Sequence, residues 1–179
     1  MPALAHIGIG LVAKRIAPQI PLWALLICVM AIDILSFIFL FATWISHGLF
    51  MVILWSIVSI LITAFIRIRL TSKDDQDKGR NLSIWRMDIW QPSIIIGLFV
   101  FSHWVLDFIG WPMSALDPNA SGVPLLFDDA VYIGLGVYST WLGALLMDIG
   151  VFVVGLVIYV HYLKKIKKKK YSNEISPTK

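Results

Sequence analysis

The chain has little of what a water-soluble domain requires. Only 15% of its residues are charged, against 59% hydrophobic, and its mean hydropathy is +0.83. Soluble domains carry about 25% charged residues, so water is excluded as the main solvent. There is a single cysteine, Cys28, which excludes an intramolecular disulfide and leaves the redox compartment unread. No internal repeat is detectable. A cleavable signal peptide is not evident, because Lys14 and Arg15 follow the first apolar stretch and no A-x-A-like site precedes the rest; nothing is expected to be removed.

What the chain does have is long apolar runs. A helix crossing a hydrocarbon core about 30 Å thick needs about 20 largely apolar residues at about 1.5 Å rise each. Four stretches qualify. The first runs from Pro21 to about Trp44 with one charge, Asp33, and the second from about Gly48 to Leu70, ending on Arg67 and Arg69. The third runs from about Gln91 to Trp111, and the fourth from about Ser139 to Leu163 with an earlier start in VYIGLGVY as the alternative. The expected fold is an all-α integral membrane protein in one domain, residues 1–179. It has four transmembrane helices plus a short N-terminal helix, re-entrant or interfacial, with helices near 3–17, 21–44, 48–70, 91–111 and 131–163. Residues 71–90 read as a polar cytoplasmic loop and 164–179 as a basic cytoplasmic tail.

Basic residues are missing from two connections, and that absence orients the chain. All 15 Lys and Arg fall before the first span (Lys14, Arg15), between the second and third, or after the fourth. The turn from Trp44 to Gly48 and the loop from Pro112 to about Ala130 have none. Because Lys and Arg of short loops stay cytoplasmic, the C-terminus is expected inside a multi-pass protein of the cell membrane. Trp23, Trp85, Trp90, Tyr159 and Tyr162 would mark one boundary and Trp44, Trp111 and Trp141 the other. The formal net charge of +4 does not imply nucleic acid, because the KKIKKKK run abuts a spanning helix. Such a cluster anchors topology and attracts anionic lipid; the alternative is a dedicated lipid or protein docking site. The partners expected are membrane lipids and, as a homo-oligomer, further copies of the chain.

Ionisable groups are costly in hydrocarbon and mark functional sites there. Measured from the cytoplasmic helix ends, Asp33 and His103 both lie about 18 Å in, Asp148 about 22 Å and Asp107 about 24 Å. Three spans thus bring carboxylates or imidazole to one level. His103 and Asp107 are four residues apart and share a helix face. Imidazole and carboxylate together suit zinc or manganese rather than calcium. The other reading is an interhelical polar clasp. Pro18 and Pro21 could fold the N-terminal stretch back so that His6 meets Asp33 side by side; otherwise that stretch lies on the cytoplasmic surface. A straight helix from Asp33 would carry His47 about 21 Å too far out. Either the chain bends between Leu35 and Trp44, or His47 is a rim residue. His161 reads as an interfacial residue beside the lysines.

The pieces AHIGIGL, AID at Asp33, WISHGLF around His47 and FSHWVLD at His103 and Asp107 resemble, in order, the membrane-bound metal-dependent hydrolase family, the LexA-binding inner-membrane hydrolases. The resemblance covers the N-terminal two-thirds of the chain. It departs from the family pattern in having a lone Asp33 where a P-D-x-D-like element is usual, and WISHG where a longer H-R-G-x-T-H-S-like element is usual. It implies that His6, Asp33, His47, His103 and Asp107 form the metal-binding set of a hydrolase related in layout to zinc-dependent phospholipases. The cofactor would be a divalent metal, zinc or manganese, and the reaction attack of metal-activated water on a lipid-linked phosphoester. Asp148, or Asp107 if it is not a ligand, would take the water proton as the catalytic base. The competing expectation is a non-enzymatic polytopic protein, a transporter subunit or assembly factor, whose His and Asp groups clasp helices or relay ions.

Overall fold

A computed structural model describes residues 3–39, 42–77, 86–115, 117–126 and 131–175. Lys78, Arg80, Trp85 and the rest of the 78–85 interval lie outside them, as do 127–130 and the end of the tail beyond 175. Among the described residues the chain is mostly helical, with helices α1 (Leu4–Ile16), α2 (Leu22–Val29), α3 (Ala31–Ile38), α4 (Thr43–Ser46), α5 (Leu49–Asp77), α6 (Met87–Gly110) and α7 (Trp141–Ile175). Two short strands, β1 (Val123–Pro124) and β2 (Tyr132–Ile133), pair antiparallel with Val123 opposite Ile133.

Three helices are long and apolar enough to cross a membrane: α5 over Leu49–Ser72, all of α6, and α7 over Trp141–Lys169. The stretch expected as a first span is instead divided. α2 ends at Val29, Met30 leaves helical geometry at φ −91° and ψ 2°, and α3 then runs only to Ile38. The chain turns again before α4, which is the bend that His47 required. Other boundaries move as well. α5 continues to Asp77 and α6 begins at Met87, inside the expected loop. α7 begins at Trp141 rather than 131, because Tyr132–Ile133 pairs as a strand and Gly136 adopts a left-handed φ of 71° that only glycine takes readily. The Thr140 hydroxyl then accepts the Gly143 N–H at 3.1 Å and starts the helix.

α6 is the central element. Of its apolar window 44% is buried, against 17% for α5 and 6% for α7; it packs on α5, α2 and α1. Pro92 within α6 has no N–H for the Asp88 carbonyl one turn back. The Arg67 guanidinium of α5 donates to that carbonyl at 2.8 Å and ties the two helices together. Ser56, Ser93 and Thr63 each donate to the carbonyl four residues earlier at 2.7, 2.7 and 2.8 Å. Their hydroxyls are thereby satisfied within their own helices.

α1 folds back on the chain rather than lying apart as a surface helix. Its Ala5, His6, Gly8, Gly10, Leu11 and Ala13 are buried, and its main neighbour is α7. The approach is close: a Cβ on Gly8 would stand 2.6 Å from the Val151 carbonyl oxygen, and one on Gly155 would strike the backbone of Gly8. At the turn after α1, Lys14 Nζ donates to the carbonyls of Pro18 and Ile20, both at 2.7 Å.

Candidate metal centre

Five side chains from four parts of this scaffold converge. His6 comes from α1, Asp33 from α3, His47 from the residue after α4, and His103 and Asp107 from one face of α6. Each is buried, with relative exposures of 2, 6, 2, 0 and 3% in that order. Ile32 and Trp104, the sequence neighbours of Asp33 and His103, belong to a buried apolar cluster with Val52, Val100 and Val123.

The distances within the cluster are narrow in range. His103 Nε2 lies 3.2 Å from Asp107 Oδ2 and 3.5 Å from Asp33 Oδ1. His47 Nε2 lies 3.4 Å from each of Asp33 Oδ1 and Asp107 Oδ2, and His6 Nε2 is 3.6 Å from Asp107 Oδ1. The His6 and His103 rings overlap with centroids 3.9 Å apart. Charge-assisted N–H···O bonds are shorter, about 2.7–2.9 Å. Two atoms held at about 2.1 Å by one tetrahedral ion are instead about 3.4 Å apart.

The outer ring nitrogens fix which atoms face inward. His103 Nδ1 is 2.7 Å from the Val29 carbonyl oxygen. A carbonyl only accepts, so Nδ1 carries the proton, and in the neutral ring Nε2 presents a lone pair to two carboxylate oxygens. His47 Nδ1 is 2.8 Å from Ser46 Oγ, which leaves Nε2 as the ring atom turned toward the carboxylates. His103 Nε2, His47 Nε2, Asp33 Oδ1 and Asp107 Oδ2 are buried with no hydrogen-bond partner among the described residues. Lone pairs facing carboxylates repel unless a cation stands between them, and a divalent ion balances the two negative charges of Asp33 and Asp107 in a medium that penalises net charge. The buried His/Asp groups can hold a metal ion: His6, His103 and Asp107 form one mutually close set, and Asp33, His47 and His103 another.

His6, expected beside Asp33, meets Asp107 and the His103 ring instead, because α1 packs toward α7 and α6. Asp148, expected as the base, is not in either set. Its Oδ1 accepts the Ala5 N–H at 2.8 Å, so it serves the first turn of α1, next to His6. This is the work of a helix cap. Asp148→Ala should lower stability by about 1 kcal/mol and leave metal content at equal folded yield close to wild type. A total loss of metal in that variant would restore Asp148 to the centre itself.

Two contributors had no signal in the sequence. The Val29 carbonyl is available because the helix breaks at Met30, and Ser46 was hidden in a four-residue helix. Tyr138 is 1% exposed against Gly110, and its hydroxyl has no hydrogen-bond partner among the described residues. Burial, reinforced by the carboxylates of Asp148 and Asp107, pushes this phenol up, which keeps it a proton donor at neutral pH. A small cavity of about 60 Å³ reaches His47 from the side of the β1–β2 hairpin, lined also by Trp111, Ser121 and Tyr132.

Comparison of the chain with known protein families, with characterised proteins and with solved structures gives no match.

Proposed function

We propose that the chain is a multi-pass membrane protein and a metal-dependent hydrolase acting on a lipid-linked phosphoester. The observation that carries the metal reading is the inward-facing donor set, whose 3.2–3.6 Å spacings suit ligands of one small ion better than hydrogen-bonded pairs. The mixed imidazole and carboxylate set favours zinc or manganese. The hydrolase class draws on the motif resemblance at His6, Asp33, His47, His103 and Asp107. In this reading α2 and α3 together make a fourth, broken crossing. Broken helices are tolerated at membrane depth where protein covers the freed backbone groups, as His103 covers the Val29 carbonyl.

When bound, such an ion lowers the pKa of a water toward neutrality and polarises a phosphoryl oxygen. The chain's own residues supply the rest. Asp107 and Asp33 present fixed negative charge, while the Val29 carbonyl, accepting from Nδ1, holds the neutral His103 ring with its Nε2 lone pair inward. Burial of all five groups keeps bulk water from them. His47 alone of the five lines the small cavity, so the phosphoester would approach from the hairpin side, past Trp111 and Ser121.

The purified protein, loaded with zinc or manganese, should release phosphate or a water-soluble headgroup from phosphoester lipids in mixed micelles. His103→Ala should fall to background. Full metal occupancy without turnover on either a phosphomonoester or a phosphodiester lipid would sink the hydrolase reading and leave the metal centre standing. Orientation is tested separately, on the motive of the segregated basic residues. A cysteine at Asn119, in a Cys28-free background, should react with an impermeant thiol reagent from outside the cell, and one at Gln76 should not; the reverse pattern would invert the topology.

A further inference from the structure

A second feature lies at the other end of the molecule, away from the His/Asp centre. Where the last turn of α1 meets α7, a cavity of about 320 Å³ is lined by Arg15, His161, Tyr162, Lys165, Ile166 and Lys169. His161, Lys165 and Lys169 follow one another at intervals of four residues, so α7 presents them as a single stripe. Arg15 adds a guanidinium from the opposite helix. No acidic side chain lines this cavity, and among the described residues Arg15, Lys165 and Lys169 have no ion-pair partner. Lys14, the neighbour of Arg15, is committed to the Pro18 and Ile20 carbonyls. Arg15 thus remains for a ligand.

We infer that this cavity binds the phosphate group of an anionic phospholipid, held between Arg15 of α1 and Lys165 and Lys169 of α7. A cavity walled by cations from two sides satisfies the several oxygens of a phosphate at once, and the Arg fork matches that geometry. The lipid source follows from the surroundings. Val160, Leu163 and Ile166 are 40, 44 and 47% exposed beside the cavity and continue the apolar flank of α7, giving an acyl chain a surface to lie on. Tyr162, also in the lining, is a side chain of the kind that concentrates at headgroup level. Basic pockets between helices at the cytoplasmic face bind lipid headgroups in this manner. The inference does not depend on hydrolase activity.

The test uses the full-length protein, delipidated in neutral detergent and titrated with lipid under native mass spectrometry. Phosphatidylglycerol should bind at least about five-fold more tightly than phosphatidylcholine, and Arg15→Gln or Lys165→Gln should each weaken it about five-fold, since one basic residue near a lipid phosphate is worth about that factor. Lys167→Gln and Lys168→Gln, in the same basic run but outside the cavity, should stay within about two-fold of wild type. An equal loss in the two control variants, or no preference for the anionic lipid, overturns the site. Displacement of bound lipid by millimolar inorganic phosphate overturns the lipid assignment in favour of a soluble anion.

Discussion

Replacing His103 with Ala should strip the purified protein of its metal. The wild type, prepared without chelator and resupplied with zinc or manganese, should carry near-stoichiometric ion. His103 faces both carboxylates, at 3.2 and 3.5 Å, and its ring stacks on that of His6, so its loss opens the donor set at its middle. Loss of a ligand or its orienting partner commonly weakens metal binding 10-fold or more, and a ligand central to the set should lie at the upper end. Asp107→Ala should behave alike, because its two oxygens face His6 on one side and His47 and His103 on the other. Added metal should also raise the melting temperature of the wild type in detergent, by linkage worth about 2.7 kcal/mol at 100-fold excess over Kd, and leave the His103→Ala protein unmoved. Metal content must be compared at equal folded yield, since a clasp of helices would be damaged by the same change. If both variants keep wild-type metal, or the wild type takes up none, the centre is a polar clasp.

The second large effect should come from a residue that touches no metal ligand. Gly155→Leu would drive a side chain into the backbone of Gly8, where no rotamer can relieve the contact. Overpacking costs about 1–3 kcal/mol, and a clash with backbone belongs at the top of that range. The displaced α1 would take His6 with it and break the Ala5 to Asp148 hydrogen bond, so metal affinity should drop about ten-fold or more although every ligand is still encoded. Gly150→Leu is the control on the same helix: a Cβ there meets nothing within 4 Å, and that variant should resemble wild type. Equal metal affinity in Gly155→Leu and Gly150→Leu would show that the α1–α7 contact does not hold His6 in place.

The apolar periodicity announced α5, α6 and the body of α7, because length and hydropathy are properties of composition. The depth comparison also placed His103, Asp107 and Asp33 at one level, since rise per residue is fixed by helix geometry. It failed where the backbone departs from a helix. The stretch from Pro21 to Trp44 is uniformly apolar, and nothing in its residue types marks Met30 as a joint; the interruption is stabilised from outside, by His103 bonding to the Val29 carbonyl. Residues 131–140 read as an early start to α7 because Tyr132 and Ile133 are equally at home in strands, and only the pairing with Val123 and Pro124 decides between the two. Depth arithmetic likewise put Asp148 level with the centre without saying which way it points. Its partner, the Ala5 N–H, is a backbone group 143 residues away.

That same separation bears on how the protein is made. Among the described elements α1 is synthesised before the others and α7 after them, yet α1 has its principal seat on α7. Until α7 has been synthesised, the Gly8 surface has no partner and the N–H of Ala5 has no carboxylate. Contacts of such long range form late, because the intervening chain must be ordered first. His6 should accordingly be the last of the five groups to arrive, joining Asp33, His47, His103 and Asp107 only once α7 is in place.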